Sequence, residues 1–129
     1  MELNQLNKCN VCGNTVELVN LGNGQLVCCQ KPMEDLVPKT IDEGTEKHLS
    51  VLEDTESGIL VKVGSIPHPM DDNHYIVWIE VVTTDSKVYR HYLKPTHPPQ
   101  TRFVLSSKNV KLVRSYCNIH GLWQLSVNS

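Results

Sequence analysis

From residue 49 onward, apolar residues come in short runs and alternations, with no sign of helical spacing. Seven stretches, at 49–53, 59–63, 74–83, 87–93, 102–105, 110–114 and 122–127, are rich in β-branched and aromatic residues. Several alternate apolar with polar positions, the period that sets one face of a strand against a core and the other toward water. Turn-forming residues separate them at 54–58, 67–73, 84–86 and 95–99. This pattern predicts an all-β fold, with an antiparallel β-sandwich of immunoglobulin type. Residues 37–47 are polar and read as a linker running into the first strand of the sandwich. No internal repeat or low-complexity tract is present.

Residues 1–36 have a different character. They hold four of the five cysteines, three glycines and few aliphatic side chains. A segment this short cannot bury enough apolar area to offset its chain entropy, so a metal, a partner or both must support it. The expected organisation is a small metal module at 1–36, followed by a sandwich domain at 37–129.

Composition narrows the function classes. The chain has 129 residues and a net charge of −2, which gives no electrostatic reason to expect nucleic acid or an anionic membrane as partner. The longest apolar stretch, 75–82, is interrupted by Glu80 and falls far short of the ~20 residues of a membrane span. The first residues lack the basic and apolar regions of a signal peptide, so a cytoplasmic location is expected. In a reducing compartment, clustered cysteines point to metal or redox chemistry rather than disulfides.

Cys9, Cys12, Cys28 and Cys29 form the first constellation. Two thiolates two residues apart, followed by Gly13, make a knuckle that can direct both sulfurs at one ion. The adjacent pair Cys28–Cys29 departs from the Cys-x2-Cys of a zinc ribbon and implies a distorted tetrahedron. A vicinal disulfide there would be strained and would be reduced in this compartment. Four thiolates suit iron or zinc by ligand type, and a purely structural zinc is as compatible with the spacing as a redox metal.

The second constellation is spread along the sandwich. His48 follows Thr45-Glu46-Lys47; His68 lies between Pro67 and Pro69; His74 follows Asn73; Cys117 and His120 belong to Cys117-Asn118-Ile119-His120. These are expected just before a strand, around a turn, and in a loop between strands. Loops at one end of a sandwich cluster in space, so the residues can converge. Four imidazoles with one thiolate exceed the four ligands of structural zinc, suit iron or copper, and leave a sixth position for a small molecule. Taken singly, each histidine is more often a surface or hydrogen-bonded residue and Cys117 more often a buried thiol. That ordinary role is kept for His91 and His97.

Nearly the whole chain resembles desulfoferrodoxin, the two-iron class of superoxide reductase. Residues 1–36 resemble the desulforedoxin module, and the remainder carries the family's Glu-Lys-His, His-Pro-Met, His-Tyr-Ile and Cys-Asn-Ile-His-Gly motifs. The resemblance implies two irons per chain, with zinc as a possible substitute in the first site. It implies an equatorial plane of His48, His68, His74 and His120 with Cys117 axial, and Glu46 occupying the sixth position of the resting ferric site. It further implies one-electron reduction of superoxide to hydrogen peroxide, an electron donor such as rubredoxin, and a homodimer; with an anionic substrate, Lys47 beside an exposed iron gains the job of raising its local concentration. Leu122 stands where relatives often have histidine, at a position that is not a ligand. The alternatives are a rubredoxin-like electron carrier without catalysis of its own, and a structural zinc module on an interaction domain.

Overall fold

The computed structural model describes residues 4–42 and 47–128. The chain divides into two compact units, Met1–Val37 and Pro38–Ser129. There is no α-helix among the described residues; a single 3-10 turn, Ser107–Asn109, is the only helical element there. No helix among the described residues is long and apolar enough to cross a membrane.

The first unit is built from five short strands: β1 (Leu6–Lys8), β2 (Thr15–Glu17), β3 (Val27–Cys28), β4 (Lys31–Pro32) and β5 (Glu34–Leu36). They pair as a three-stranded sheet in the order β2-β1-β5 and a separate β3-β4 hairpin, all antiparallel. None of these strands is legible as a run of alternating residues. At two or three residues each, they are held by turns and by the cysteine cluster rather than by an apolar face.

The second unit is the expected sandwich. Its strands are β6 (Ser50–Thr55), β7 (Gly58–Val63), β8 (Ile76–Thr83), β9 (Val88–Tyr92), β10 (Gln100–Phe103), β11 (Val110–Cys117) and β12 (Gly121–Ser126). One sheet runs β10-β7-β6 and the other β12-β11-β8-β9, every pair antiparallel. Ile59, Val61 and Val63 of β7 and Phe103 of β10 meet Ile76, Ile79 and Val81 of β8 and Val110, Val113 and Cys117 of β11. The two-residue spacing of the β7 set is the alternation read from the sequence, now facing a core.

Two expectations need correction. Strand β11 does not end at residue 114 but continues to Cys117, so this thiol closes a strand and is not in a loop. Its pairing with β8 shifts there: Tyr116 faces Trp78 while Cys117 faces Ile76, leaving Val77 as the extra residue of a β-bulge. The bulge resets the alternation of β8, so that Ile76 turns into the core beneath Cys117. The polar stretch 37–47 is also not wholly a linker. Lys39 forms a parallel bridge with Trp123, its N–H donating to the Leu122 carbonyl and its own carbonyl accepting from Gln124, each at 2.9 Å. This covers the free edge of β12, which would otherwise expose unpaired backbone groups.

Candidate metal centres

In the first unit the knuckle is built by backbone hydrogen bonds. The Gly13 N–H reaches the Cys9 carbonyl at 2.9 Å and the Cys9 N–H reaches the Asn14 carbonyl at 2.8 Å. Gly13 adopts φ 85°, a left-handed conformation that glycine enters without steric cost. Cys28 ends β3, and Cys29 and Gln30 form the turn into β4 with φ of 52° and 64°. Positive φ at both central residues is the geometry of a tight I′ hairpin, usually given to Asn or Gly. The turn swings the Cys29 thiol toward the one before it, and this is how adjacent cysteines come to face one point.

The cluster fits a tetrahedral ion. Sulfurs about 2.3 Å from one metal in a tetrahedron lie about 3.8 Å apart. Here Cys12 and Cys28 are 3.6 Å apart and Cys28 and Cys29 4.0 Å, with all four sulfurs within 4.8 Å of one another. The five cysteines are free thiols, so the vicinal pair is not a disulfide. The Cys12 and Val11 backbone N–H groups hold the Cys9 thiol down to about 6, favouring thiolate. Hydrogen bonds with Cys12 and Cys9 push Cys29 up to about 12 and raise Cys28 as well.

The second constellation gathers at one end of the sandwich, where β6, β8 and β12 begin and β7 and β11 end. His48 precedes β6, His68 and His74 lie in the β7–β8 connection, Cys117 closes β11, and His120 leads into β12. Their donor atoms all lie within 4.8 Å of one another. The imidazoles form a closed cycle: His48–His68, His68–His74, His74–His120 and His120–His48 have ring centroids 4.6, 5.0, 5.1 and 5.0 Å apart, all edge-to-face. Four nitrogens about 2.1 Å from one ion in a square would be about 3 Å apart between neighbours and about 4.2 Å across, which this cluster accommodates. Cys117 is 0% exposed and lies on the core side, whereas His120 is exposed. The open face of the cycle is therefore the one away from the thiol.

Supporting contacts set these ligands, and most were not legible in the sequence. The His68 Nδ1 lies 2.8 Å from the Pro69 carbonyl; as the donor of that bond it leaves the Nε2 lone pair for a metal. The Asp42 carboxylate accepts from the His48 N–H at 2.7 Å and the Leu49 N–H at 3.1 Å. Asn118 accepts from the Tyr75 N–H at 2.9 Å and donates to the Asn73 carbonyl at 3.0 Å, binding the β11–β12 turn to the segment that carries His74. Gly64, at φ +88°, is where the backbone of Lys47 passes closest. A Cβ there would lie 2.7 Å from the Lys47 carbonyl oxygen and would collide with that of Ile66. Of these, Asp42 and Gly64 stood outside the motifs, whereas Pro69, Tyr75 and Asn118 lay inside them.

Lys47 is described and partly exposed, directly before His48; Glu46 lies outside the described residues. His91 and His97 stay away from the cluster. The His91 Nδ1 is 2.7 Å from Thr101 Oγ1 with its ring stacked on Phe103, and His97 is exposed.

Residues 40–126 match the family described as desulfoferrodoxin, and residues 1–36 match the desulfoferrodoxin N-terminal domain. A desulfoferrodoxin homolog of Methanothermobacter thermautotrophicus is 55% identical over 122 residues, covering 95% of this chain and 98% of that protein. A superoxide reductase of Pyrococcus horikoshii is 36% identical and covers 71% of this chain and 97% of its own length. The superoxide reductase of Treponema pallidum has the same fold, with a TM-score of 0.74 at 24% identity over 95% of this chain and 97% of that one. With both of its parts matched, this chain belongs to the desulfoferrodoxin family.

Proposed function

We propose that the protein is a superoxide reductase, in which residues 38–129 carry the reaction and residues 1–37 are a metal module. The observation that carries this reading is the cycle of four imidazoles closed on its core side by Cys117 and open on the other. In this reading both clusters hold iron, with zinc able to substitute among the four thiolates. His48, His68, His74, His120 and Cys117 would hold the iron of the second cluster. Iron bound there supplies one electron to superoxide, which with two protons becomes hydrogen peroxide; an external donor such as rubredoxin returns the electron.

The chain's own residues supply the rest. Cys117 adds thiolate charge from the buried side, which favours loss of an electron from the metal. The open face admits a diatomic anion opposite that thiol. Lys47, beside His48, draws the anion toward the opening. Glu46, outside the described residues, would serve as an exchangeable ligand of the resting iron that gives way to substrate. Function as a homodimer that detoxifies superoxide in the cytoplasm accords with this activity.

Metal analysis combined with pulse-generated superoxide kinetics on the reduced protein tests the reading. Two irons per chain, one of them binding azide or cyanide, and fast reaction with superoxide are expected. One iron or one zinc per chain with no such reaction would sink it and leave an electron carrier or a structural module. Cys117→Ser is expected to abolish reductase turnover; retained turnover would refute the thiol as a ligand.

A further inference from the structure

Trp123 lies in β12, three residues past His120, and is 6% exposed. Its ring lies nearly flat on the His48 imidazole, with centroids 4.3 Å apart and planes 6° apart. A buried tryptophan usually directs its N–H at an acceptor. Here Nε1 is buried and has no hydrogen-bond partner among the described residues. The ring is therefore held by its faces and edges, and its orientation answers to His48 rather than to an acceptor.

Lys39 completes the arrangement. Its Nζ is 5.2 Å from the Trp123 ring centre, within the range of a cation–π contact, and donates to the His120 carbonyl at 2.7 Å. Its backbone is already fastened along β12 on both sides of Trp123. One side chain thus touches both the residue that stacks on His48 and the backbone of His120. Lys39 also falls between the two stretches matched to the family, 1–36 and 40–126.

We propose that Lys39 and Trp123 form a clamp that positions His48 and His120 for the second metal, Trp123 holding the plane of the His48 ring and Lys39 holding both Trp123 and the His120 backbone. Neither supplies a ligand; both are positioning residues. The proposal rests on the reading of that cluster as an iron site. A ligand ring held in plane before the metal arrives has less freedom left to lose on binding, so the clamp slows metal release and affects the potential of the site.

The test uses the full-length, iron-loaded protein. Iron release from the four-histidine site to a chelator is followed by loss of its thiolate-to-iron absorption, and the reduction midpoint is measured beside it. Trp123→Leu is expected to release iron about tenfold faster, with a shifted midpoint. Trp123→Phe, which keeps a stacking ring, should return release to within about threefold of the parent. Lys39→Met, an exposed change, should quicken release about threefold. Parental release and midpoint in Trp123→Leu, or a phenylalanine variant as leaky as the leucine one, would overturn the clamp. Should Trp123→Leu not fold, Lys39→Met decides: an unchanged release rate overturns the proposal and a faster one supports it. If the parent protein itself holds no iron at this site, it is the functional reading that fails.

Discussion

Glu80 interrupts the longest apolar run of the chain, yet it is fully buried. Arg90 meets one carboxylate oxygen, from Nε at 2.9 Å and from its terminal nitrogen at 2.5 Å, and Arg114 Nε meets the other at 2.5 Å. Both guanidiniums lie over the Trp78 ring, at 4.5 and 5.9 Å. Because two guanidiniums share this buried carboxylate, Glu80→Gln removes the charge that both of them meet. It is expected to cost about 3–5 kcal/mol in denaturant unfolding of the sandwich; a loss under about 1 kcal/mol would mean that the pairs only offset their own desolvation. Lys47 belongs to the same scale. Lys47→Ile should slow superoxide capture and flatten its dependence on ionic strength, because a steering charge acts through a screened field. An unchanged rate constant would remove steering from the mechanism.

At the scale of elements, the β3–β4 hairpin joins backbone geometry to proton chemistry. Its left-handed turn brings Cys28 and Cys29 together, and hydrogen bonds with Cys12 and Cys9 raise both thiols while Cys9 is lowered. A metal must displace any proton its ligand carries. With Cys9 at about 6, its proton is already lost at neutral pH, whereas Cys28 and Cys29 still hold theirs. Affinity of the metal-free module for cobalt or zinc should therefore rise with pH across the neutral range, by at least about tenfold per unit. The linkage of Cys9 to stability has the sign of a depressed group. Its contribution is present above the unfolded thiol's pKa and is lost as the pH falls through about 6. Competition titrations at several pH values check the first statement; a flat affinity would contradict it. Strands such as β7 were legible because their alternate residues face the core, whereas the strands of the first unit carry no such signature. The bulge at Val77 was equally hidden, since it follows from how β8 meets β11 and not from either strand alone.

At the scale of the whole molecule, two units with separate metal-ligand sets predict separable chemistry. Cys28→Ser should remove the four-thiolate metal, leaving one iron per chain, while reaction of the other site with superoxide persists. Loss of superoxide reactivity in Cys28→Ser, with the second iron retained, would show that the first site takes part in catalysis. The sequence by itself determined the donor inventory, the class of fold and the two-part division of ligands. Spacing reveals which thiols and imidazoles exist and which strands must bury a face. Only the tertiary structure decided how those donors are aimed. His48, His74 and Cys117 are far apart in the chain and meet only because antiparallel strands bring their ends together. Asp42, Asn118 and Lys39 then hold the backbone that carries the ligands, and Trp123 lies against the His48 ring, through contacts made across the fold. Periodicity is a property of one strand, while the orientation of a ligand is set by its neighbours across the sheet.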